Sequence, residues 1–352
     1  MKKFSVILIA LAFVASMVVP AMAGDFAIKG GYTLDAESRS QGDNESAWYD
    51  DDLDVDIDVT QGAVKFHWDI EVSDGFMAGH VNSATSNLVD GYYVQYAYND
   101  AITVKAGEWG LGFGRAIGMD NQGGGNLGGT YSMDTVDLSL WLGKVLEEGS
   151  TLSADDEDTN QIQFVANLKE AGPFTKLVGT YLSHTVEGTP DVTNTFMGVD
   201  IAVPAGPVAL SGEIGALGGD TSEGTYFLIE AGLADLVDFD LNVAYFSADS
   251  DFGVTGVSFG EDYDVTYLFG DVYDAKWARV KGSYPVNDDV TIGAAFVFSA
   301  EDDAGTDLGS PYDFWGTYKL ADNASTTFTY GTDGAATGDA LTGMRLRLAF
   351  KF

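Results

Sequence analysis

The chain of 352 residues contains no cysteine. A small exported domain that is stapled by disulfide bonds is therefore excluded. Only three histidines are present, His67, His80 and His184, and they are scattered, so a transition-metal site is not expected either. The fold has to be held together by packing and by backbone hydrogen bonds.

Basic residues are scarce. Lysine and arginine total 17 against 54 aspartate and glutamate, which gives a formal net charge of −37. A surface this acidic repels phosphates, so nucleic acid is excluded as a partner. Acidity can also indicate disorder, but 45% hydrophobic and 12% aromatic residues argue against it. Proline is rare at 7 residues, whereas the 44 glycines suit the tight turns of a β structure.

Long hydrophobic runs are absent beyond the N-terminus. Two lysines precede an apolar run over residues 4–19, and residues 20–23 supply small residues at the two positions that a signal peptidase reads. This pattern predicts a signal peptide over residues 1–23 with cleavage before Gly24. No later window holds about 18 consecutive apolar residues, so no transmembrane helix is predicted. Residues 24–352 are interpreted as one domain that meets a membrane, if at all, through strands.

Alternation of apolar and polar residues dominates this domain. Val64, Phe66, Trp68, Ile70 and Val72 alternate with charged or polar residues, which is typical of a strand with two different faces. Eighteen such segments can be proposed, among them residues 76–81 after a hairpin turn at 74–75. The acidic residues 35–58 are interpreted as a loop or a strand extension outside the membrane. Because an open sheet edge is costly in lipid, the sequence predicts an all-β, transmembrane antiparallel barrel of 16–18 strands.

The connections between these segments alternate between short and long, and the long ones carry most of the acid. Outer-membrane barrels combine short periplasmic turns with longer outer loops. This sorting places both termini on the periplasmic side.

The last nine residues alternate strictly and end in an aromatic residue, with Leu346, Leu348, Phe350 and Phe352 on the apolar face. This strand resembles the C-terminal signature of Gram-negative outer-membrane β-barrels. The resemblance implies that the strand pairs with the first one and is read by the assembly machinery. It also implies the Gram-negative outer membrane as the location, with its lipid and lipopolysaccharide as partners.

A second resemblance lies in residues 91–115. Two alternating segments, at 92–98 and 102–107, are similar to the fourth and fifth strands of general porins. In that family the next loop folds inward and narrows the channel, and the protein is a homotrimer. The Gly-rich residues 110–129 occupy this position here. The residues expected to lie at the constriction are Arg115, Asp120, Asn121 and Gln122.

A barrel of 16–18 strands leaves an aqueous channel. The residues expected to face this lumen are Lys65, Asp69, Glu71, Lys105, Glu213, Glu230, Asp240, Arg279, Lys281, Arg345 and Arg347. Their charges are close to balanced, whereas the outer loops are acidic, and acidic groups favour cations. The sequence thus predicts a porin for passive diffusion of small hydrophilic solutes and ions, with a weak cation preference.

Two alternatives to this function remain open, and an enzyme is not one of them. No Gly-x-Ser-x-Gly motif is present, and His67 beside two acids resembles a polar wall patch, so no enzyme and no cofactor are expected. A substrate-selective porin, for a sugar or an ion, would use lumen-facing aromatics such as Trp141, Trp277 and Trp315. A structural or adhesive barrel would have a blocked lumen.

Overall fold

The computed structural model describes residues 25–73, 91–111, 113, 125–146, 159–169, 172–188, 190–221, 223–233, 239–249, 275–302, 307–335 and 338–352. Within these ranges every regular element is a β-strand. None of the described residues belongs to a helix long and apolar enough to cross a bilayer. The predicted signal peptide at 1–23 lies outside the described residues and stays a prediction.

Nineteen strands occur in the described ranges. They are β1 (Asp25–Gln41), β2 (Asn44–Gln61), β3 (Val64–Ser73), β4 (Gly91–Asn99), β5 (Ile102–Glu108), β6 (Gly125–Ser132), β7 (Val136–Leu146), β8 (Thr159–Leu168), β9 (Lys176–Val186), β10 (Val192–Ala205), β11 (Val208–Gly219), β12 (Gly224–Leu233), β13 (Asp240–Ala248), β14 (Ala275–Pro285), β15 (Val290–Asp302), β16 (Asp307–Gly309), β17 (Tyr312–Ala321), β18 (Ala324–Thr332) and β19 (Leu341–Lys351).

The sheet closes on itself. Each strand is antiparallel to its neighbours in the chain, and β19 returns to pair with β1. The short β16 pairs with β15 alone, and β15 continues to β17. Eighteen strands of the described chain therefore form a closed antiparallel barrel, which confirms the predicted fold class.

The two faces of the wall differ in the way a barrel in lipid requires. Large apolar side chains such as Ile214 and Ile229 are 57% and 56% exposed, while the residues beside them, Glu213 and Glu230, are buried. Successive residues of a strand point to opposite faces, so the uncovered apolar face is the outside of the barrel. We call the other face the inner wall.

The connections are sorted between the two ends of the barrel. At the end where both described chain termini lie, strands are joined by short links such as residues 62–63, 100–101, 206–207 and 322–323. At the opposite end, successive strands are mostly separated by longer stretches of sequence, including 74–90, 109–124, 147–158 and 249–274, whereas β1 and β2 are separated there by residues 42–43 alone. This arrangement agrees with the sorting expected from the sequence.

Of the two interpretations of residues 35–58, a loop or a strand extension, the loop is wrong, because all of these residues except the turn at 42–43 belong to strands. β1 runs to Gln41 and β2 starts at Asn44, with a two-residue turn in which Gly42 has a φ of 57°. Residues 74–75 and 76–81, expected to form a hairpin turn and a strand, lie outside the described residues. β3 pairs instead with β2 and β4. Residues 125–132, another of the eighteen proposed segments, form β6, so residues 125–129 belong to a strand and not to the Gly-rich loop.

Candidate functional site: the inner wall of the barrel

Register decides which side chains share the inner wall. Residues that face each other across an antiparallel pair lie on the same face of the sheet. One such row runs from Lys65 on β3 through Gln95 and Lys105 to Trp141 on β7. The other charged residues expected to face the lumen share the same face: Asp69, Glu71, Glu213, Glu230, Asp240, Arg279, Lys281, Arg345 and Arg347.

The inner wall has two unlike parts. On β19 and on β1 to β5, most inner side chains are partly exposed; the side chains of Lys65 and Arg347 are 32% and 37% accessible. On β6 to β17, many inner side chains are nearly inaccessible, among them Gln163, Asp200 and Asp313. We call the first part the exposed arc and the second the sealed arc.

Five aspartates line the exposed arc on one strand. Asp50, Asp52, Asp54, Asp56 and Asp58 occupy alternate positions of β2, between the outward Leu53, Val55, Ile57 and Val59. Alternate residues of a strand are about 7 Å apart, so the row extends over roughly 27 Å, close to the thickness of a bilayer core of about 30 Å. We call this row the aspartate ladder.

Basic residues accompany the ladder on both sides. Lys65 Nζ lies 2.8 Å from Asp58 Oδ1. Across the β1–β19 pair, Arg347 Nε donates to Asp35 Oδ1 at 2.8 Å and Arg347 Nη2 donates to Asp35 Oδ2 at 2.5 Å. The exposed arc thus mixes charges of both signs.

His67 stands at the centre of a possible ligand group. Its Nδ1 is 2.9 Å from Asp58 Oδ1, and its Nε2 is 3.5 Å from Asp56 Oδ1. Atoms of Asp56, His67 and Asp69 lie within 4.8 Å of one another, a spacing that could hold a metal ion. The sequence did not bring these three residues together, because Asp56 fell within the stretch expected to be a loop.

An aromatic corner lies next to His67. The ammonium of Lys105 is 3.7 Å from the ring centroid of Tyr93 and 4.0 Å from that of Trp109. Trp109 meets Trp141 edge-on, with centroids 5.5 Å apart, and Tyr93 stacks on His67 at 4.6 Å. A lysine held between two rings is stabilised by cation–π attraction.

Buried charges are paired on the sealed arc. Arg279 Nη2 donates to Glu230 Oε1 at 3.2 Å and to Asn242 Oδ1 at 2.9 Å. Lys176 forms an ion pair with Asp200, a residue that is itself almost completely buried. These pairs satisfy groups that would be costly to bury alone.

An apolar cluster also occupies the sealed arc. Its aromatic members follow one another around the wall at centroid distances between 5.5 and 6.4 Å: Phe113, Phe196, Tyr226, Phe246 and Trp277. The sequence predicted a polar inner wall, and this cluster was not expected. The sequence did contain a signal for this cluster. Tyr226 and Leu228 occupy alternate positions with Glu230 in β12, so all three side chains lie on the same face of the strand.

The expected constriction residues Arg115, Asp120, Asn121 and Gln122 lie outside the described residues. The start of the same segment is described, and Leu111 and Phe113 are buried in it. Asn126 on β6 donates through Nδ2 to the carbonyl oxygen of Trp109 at 2.6 Å. The segment is therefore fixed to the wall where it leaves β5.

The chain is similar to known proteins in its fold, but it has no significant similarity to them in sequence. No family model matches the chain, and no curated protein is significantly similar to it in sequence. Among solved structures, OccK9 (OpdG) of Pseudomonas aeruginosa superposes with a TM-score of 0.62 at 12% identity, over 93% of this chain and 98% of that one. OpdQ of the same organism gives 0.61 at 13% identity, over 94% and 97%. The P. aeruginosa outer membrane protein opdK gives 0.58 at 13%, over 93% and 99%.

These similarities show the fold. The resemblance to Gram-negative outer-membrane porins that the sequence suggested is confirmed at this level. The fold also agrees with the predicted location in a Gram-negative outer membrane.

Proposed function

We propose that the protein is an outer-membrane channel through which small hydrophilic solutes and ions diffuse passively. A closed barrel with an apolar outside and a charged, partly exposed inner arc supports this function. Barrels of 16 to 18 strands leave space for water. No chemical step is required, so the protein is proposed to act without enzymatic activity and without a cofactor.

The channel is proposed to prefer cations weakly. The aspartate ladder is the observation that carries this proposal, because it places five carboxylates along the accessible part of the inner wall. Acidic groups that line a pore raise the local cation concentration. Lys65, Arg345 and Arg347 lie on the same arc and oppose this effect, which keeps the preference weak.

Single-channel recording in a planar lipid bilayer tests both parts. We expect current steps that scale with the conductivity of the salt, and a reversal potential of cationic sign in a salt gradient. An anionic sign would mean that the basic residues dominate. A folded barrel that gives no current would overturn the channel and favour a structural or adhesive barrel, for which the sealed arc is the supporting observation.

A substrate-selective porin is the second candidate function. The aromatic corner of Tyr93, Trp109 and Trp141 supports it, since rings and amides on an inner wall suit a solute with apolar and polar faces. Conductance that is blocked by one sugar or one ion at low concentration would place this function ahead of general diffusion.

The partners are proposed from the resemblance to porins. They are a homotrimeric assembly, lipid and lipopolysaccharide around the barrel, and the outer-membrane assembly machinery that reads the C-terminal strand. Arg115, Asp120, Asn121 and Gln122 are proposed to line the narrowest part of the lumen, since they follow the buried start of the segment that leaves β5.

A further inference from the structure

The residues that follow β5 reach a distant strand. Phe113 is 6% exposed, and its ring centroid is 5.8 Å from that of Phe196 on β10. β10 lies five strands away from β5 in the order of the sheet. The strands β5 and β6 are neighbours, and a segment that only connects them has no need to contact β10. The contact between Phe113 and Phe196 therefore indicates a separate role of the segment.

The face of the contact shows where the segment runs. Phe196 lies on the inner wall, because its register leads through Leu182 and Gln163 to Trp141. Neighbouring strands are about 4.8 Å apart, so β10 is roughly 24 Å from β5 along the wall. The four residue steps from Trp109 to Phe113 span at most about 14 Å, and the side chains of Phe113 and Phe196 bridge the rest. Phe113 therefore lies inside the barrel, and we call residues 109–113 the chord.

Phe113 enters a recess that is made by glycine. Gly198 on β10 faces Gly215 on β11 in the register. A Cβ atom at Gly198 would lie 2.4 Å from Cε1 of Phe113. This distance is too short for a van der Waals contact, so any side chain at this position would displace the ring of Phe113. A Cβ atom at Gly215 would lie 2.2 Å from the Tyr226 ring, which packs against Phe196. The two missing side chains give Phe113 and the aromatic cluster room to pack.

We propose that Phe113 is the residue that docks the chord of residues 109–113 on the inner wall at β10, and that this docking confines the solute path to the exposed arc. The docked ring contacts Phe196 on β10 and belongs to the same buried cluster as Leu182 on β9, and both residues are inaccessible, while most inner side chains of β1 to β5 stay partly exposed. This inference rests on the proposed channel function. It makes Phe113 a positioning residue that sets the width of the path.

Four variants test the docking by conductance and by the size of excluded polymers. Phe113→Ala removes the ring, and Gly198→Ala places a methyl group where the ring lies. We expect each to raise the single-channel conductance and to shift polymer exclusion to larger sizes. The double variant should match Phe113→Ala, because both changes break one contact. Gly232→Ala is the matched control, since its Cβ would be 3.8 Å from the nearest atom, and it should behave as the wild type.

A labelling experiment separates failure of the docking from failure of the channel function. The chain has no cysteine, so Thr180→Cys introduces a single thiol. Thr180 faces Gly198 in the register and is 7% exposed. A membrane-impermeant maleimide should label the thiol at this position slowly when Phe113 is present and faster after Phe113→Ala.

Each outcome decides the proposal. Equal labelling rates of the Thr180→Cys barrel with and without Phe113→Ala, both folded, would overturn the docking. A folded Phe113→Ala barrel with wild-type conductance and wild-type polymer exclusion would overturn it as well. A silent wild-type barrel with faster labelling after Phe113→Ala would keep the docking and refute the channel. Phe113→Leu retains an apolar side chain and should restore much of the wild-type behaviour, which guards against a variant that only misfolds.

Discussion

At the scale of single residues, Arg279 holds two polar partners in a nearly inaccessible place. Arg279 and Glu230 are 5% and 6% exposed, and Asn242 accepts a further hydrogen bond from the guanidinium. Replacing Arg279 by Ala leaves the Glu230 carboxylate buried without this partner. Since breaking a buried ion pair costs about 3–5 kcal/mol, we expect Arg279→Ala to lower the free energy of unfolding by about 3 kcal/mol. Denaturant titration of the barrel in detergent measures this loss.

The double variant Arg279→Met with Glu230→Gln is the control for this prediction. It removes both charges and keeps most of the side-chain volume, so it should lose clearly less stability than Arg279→Ala. Equal losses in the two variants would show that packing, and not the ion pair, stabilises this part of the wall.

Asp249 carries a pH-dependent contact just after β13. Its Oδ2 accepts hydrogen bonds from the Oγ1 and the backbone N–H of Thr225, at 2.6 and 2.9 Å. These bonds favour the ionised carboxylate and lower the pKa of Asp249 below its ordinary value. A lowered pKa in the folded state contributes stability that is present above the ordinary pKa and is lost as the pH falls through the folded value.

Thr225→Val removes the hydroxyl donor and is expected to raise the pKa of Asp249 towards its ordinary value. Carboxyl-carbon NMR over an acid titration reads this shift directly. If the titration midpoint does not move, the backbone donor of Thr225, together with the charge of Lys276, accounts for the lowered pKa.

At the scale of elements, β2 shows what the sequence could and could not predict. Its period of two is complete from Asp52 to Val59, and a turn at Gly42 separates it from β1. The density of acids in this stretch favoured a loop, because charged runs are usually solvated. This argument does not hold around a wide lumen, because one face of each strand is then in contact with water along its whole length and can carry charged residues. In this stretch, the alternation of acidic and apolar residues predicts the structure better than the high content of acidic residues does.

Contacts across the lumen could not be predicted in the same way. Phe113 and Phe196 lie far apart in the chain, and no periodicity in either segment relates them. The sequence indicates the inner face of each strand, but it does not show which inner side chains are covered by a distant segment, as Phe196 is by Phe113. Such packing depends on the closed barrel and on the recess at Gly198.

The aspartate ladder leads to a prediction for ion selectivity. Asp54→Asn with Asp56→Asn removes two charges from the middle of the ladder while preserving the shape of the side chains. We expect the reversal potential in a dilute salt gradient to move away from the cationic sign. At 1 M salt the Debye length is only about 3 Å, so the difference from the wild type should nearly vanish.

Two control variants show whether the effect depends on the charge and on its position in the ladder. Asp54→Glu with Asp56→Glu keeps the charges and should keep the wild-type reversal potential. Asp322→Asn removes one charge from an exposed turn at the end with the short links, and should change little. An unchanged reversal potential after neutralising Asp54 and Asp56 in dilute salt would contradict a role of the ladder in selectivity.

At the scale of the whole molecule, the last residue of the chain takes part in the closure of the barrel. The N–H groups of Gly30 and Phe352 each donate to the carbonyl oxygen of the other residue, at 3.0 Å. The β1–β19 register runs from Gly31↔Lys351 to Gln41↔Leu341, so Phe352 forms the final contact of the seam. Its side chain lies on the outside and is 58% exposed. The backbone and the side chain of Phe352 therefore face different partners.

Two variants separate these roles. Deleting Phe352 removes both backbone hydrogen bonds, whereas Phe352→Ala keeps them and removes only the outward ring. In refolding from urea into detergent, we expect the deletion to lower the yield of heat-modifiable barrel and Phe352→Ala to refold nearly as well as the wild type. In cells, both should assemble poorly if the assembly machinery reads the terminal ring. Normal assembly of Phe352→Ala in cells would refute that reading, while normal refolding of the deletion would show that the seam closes without its last contact.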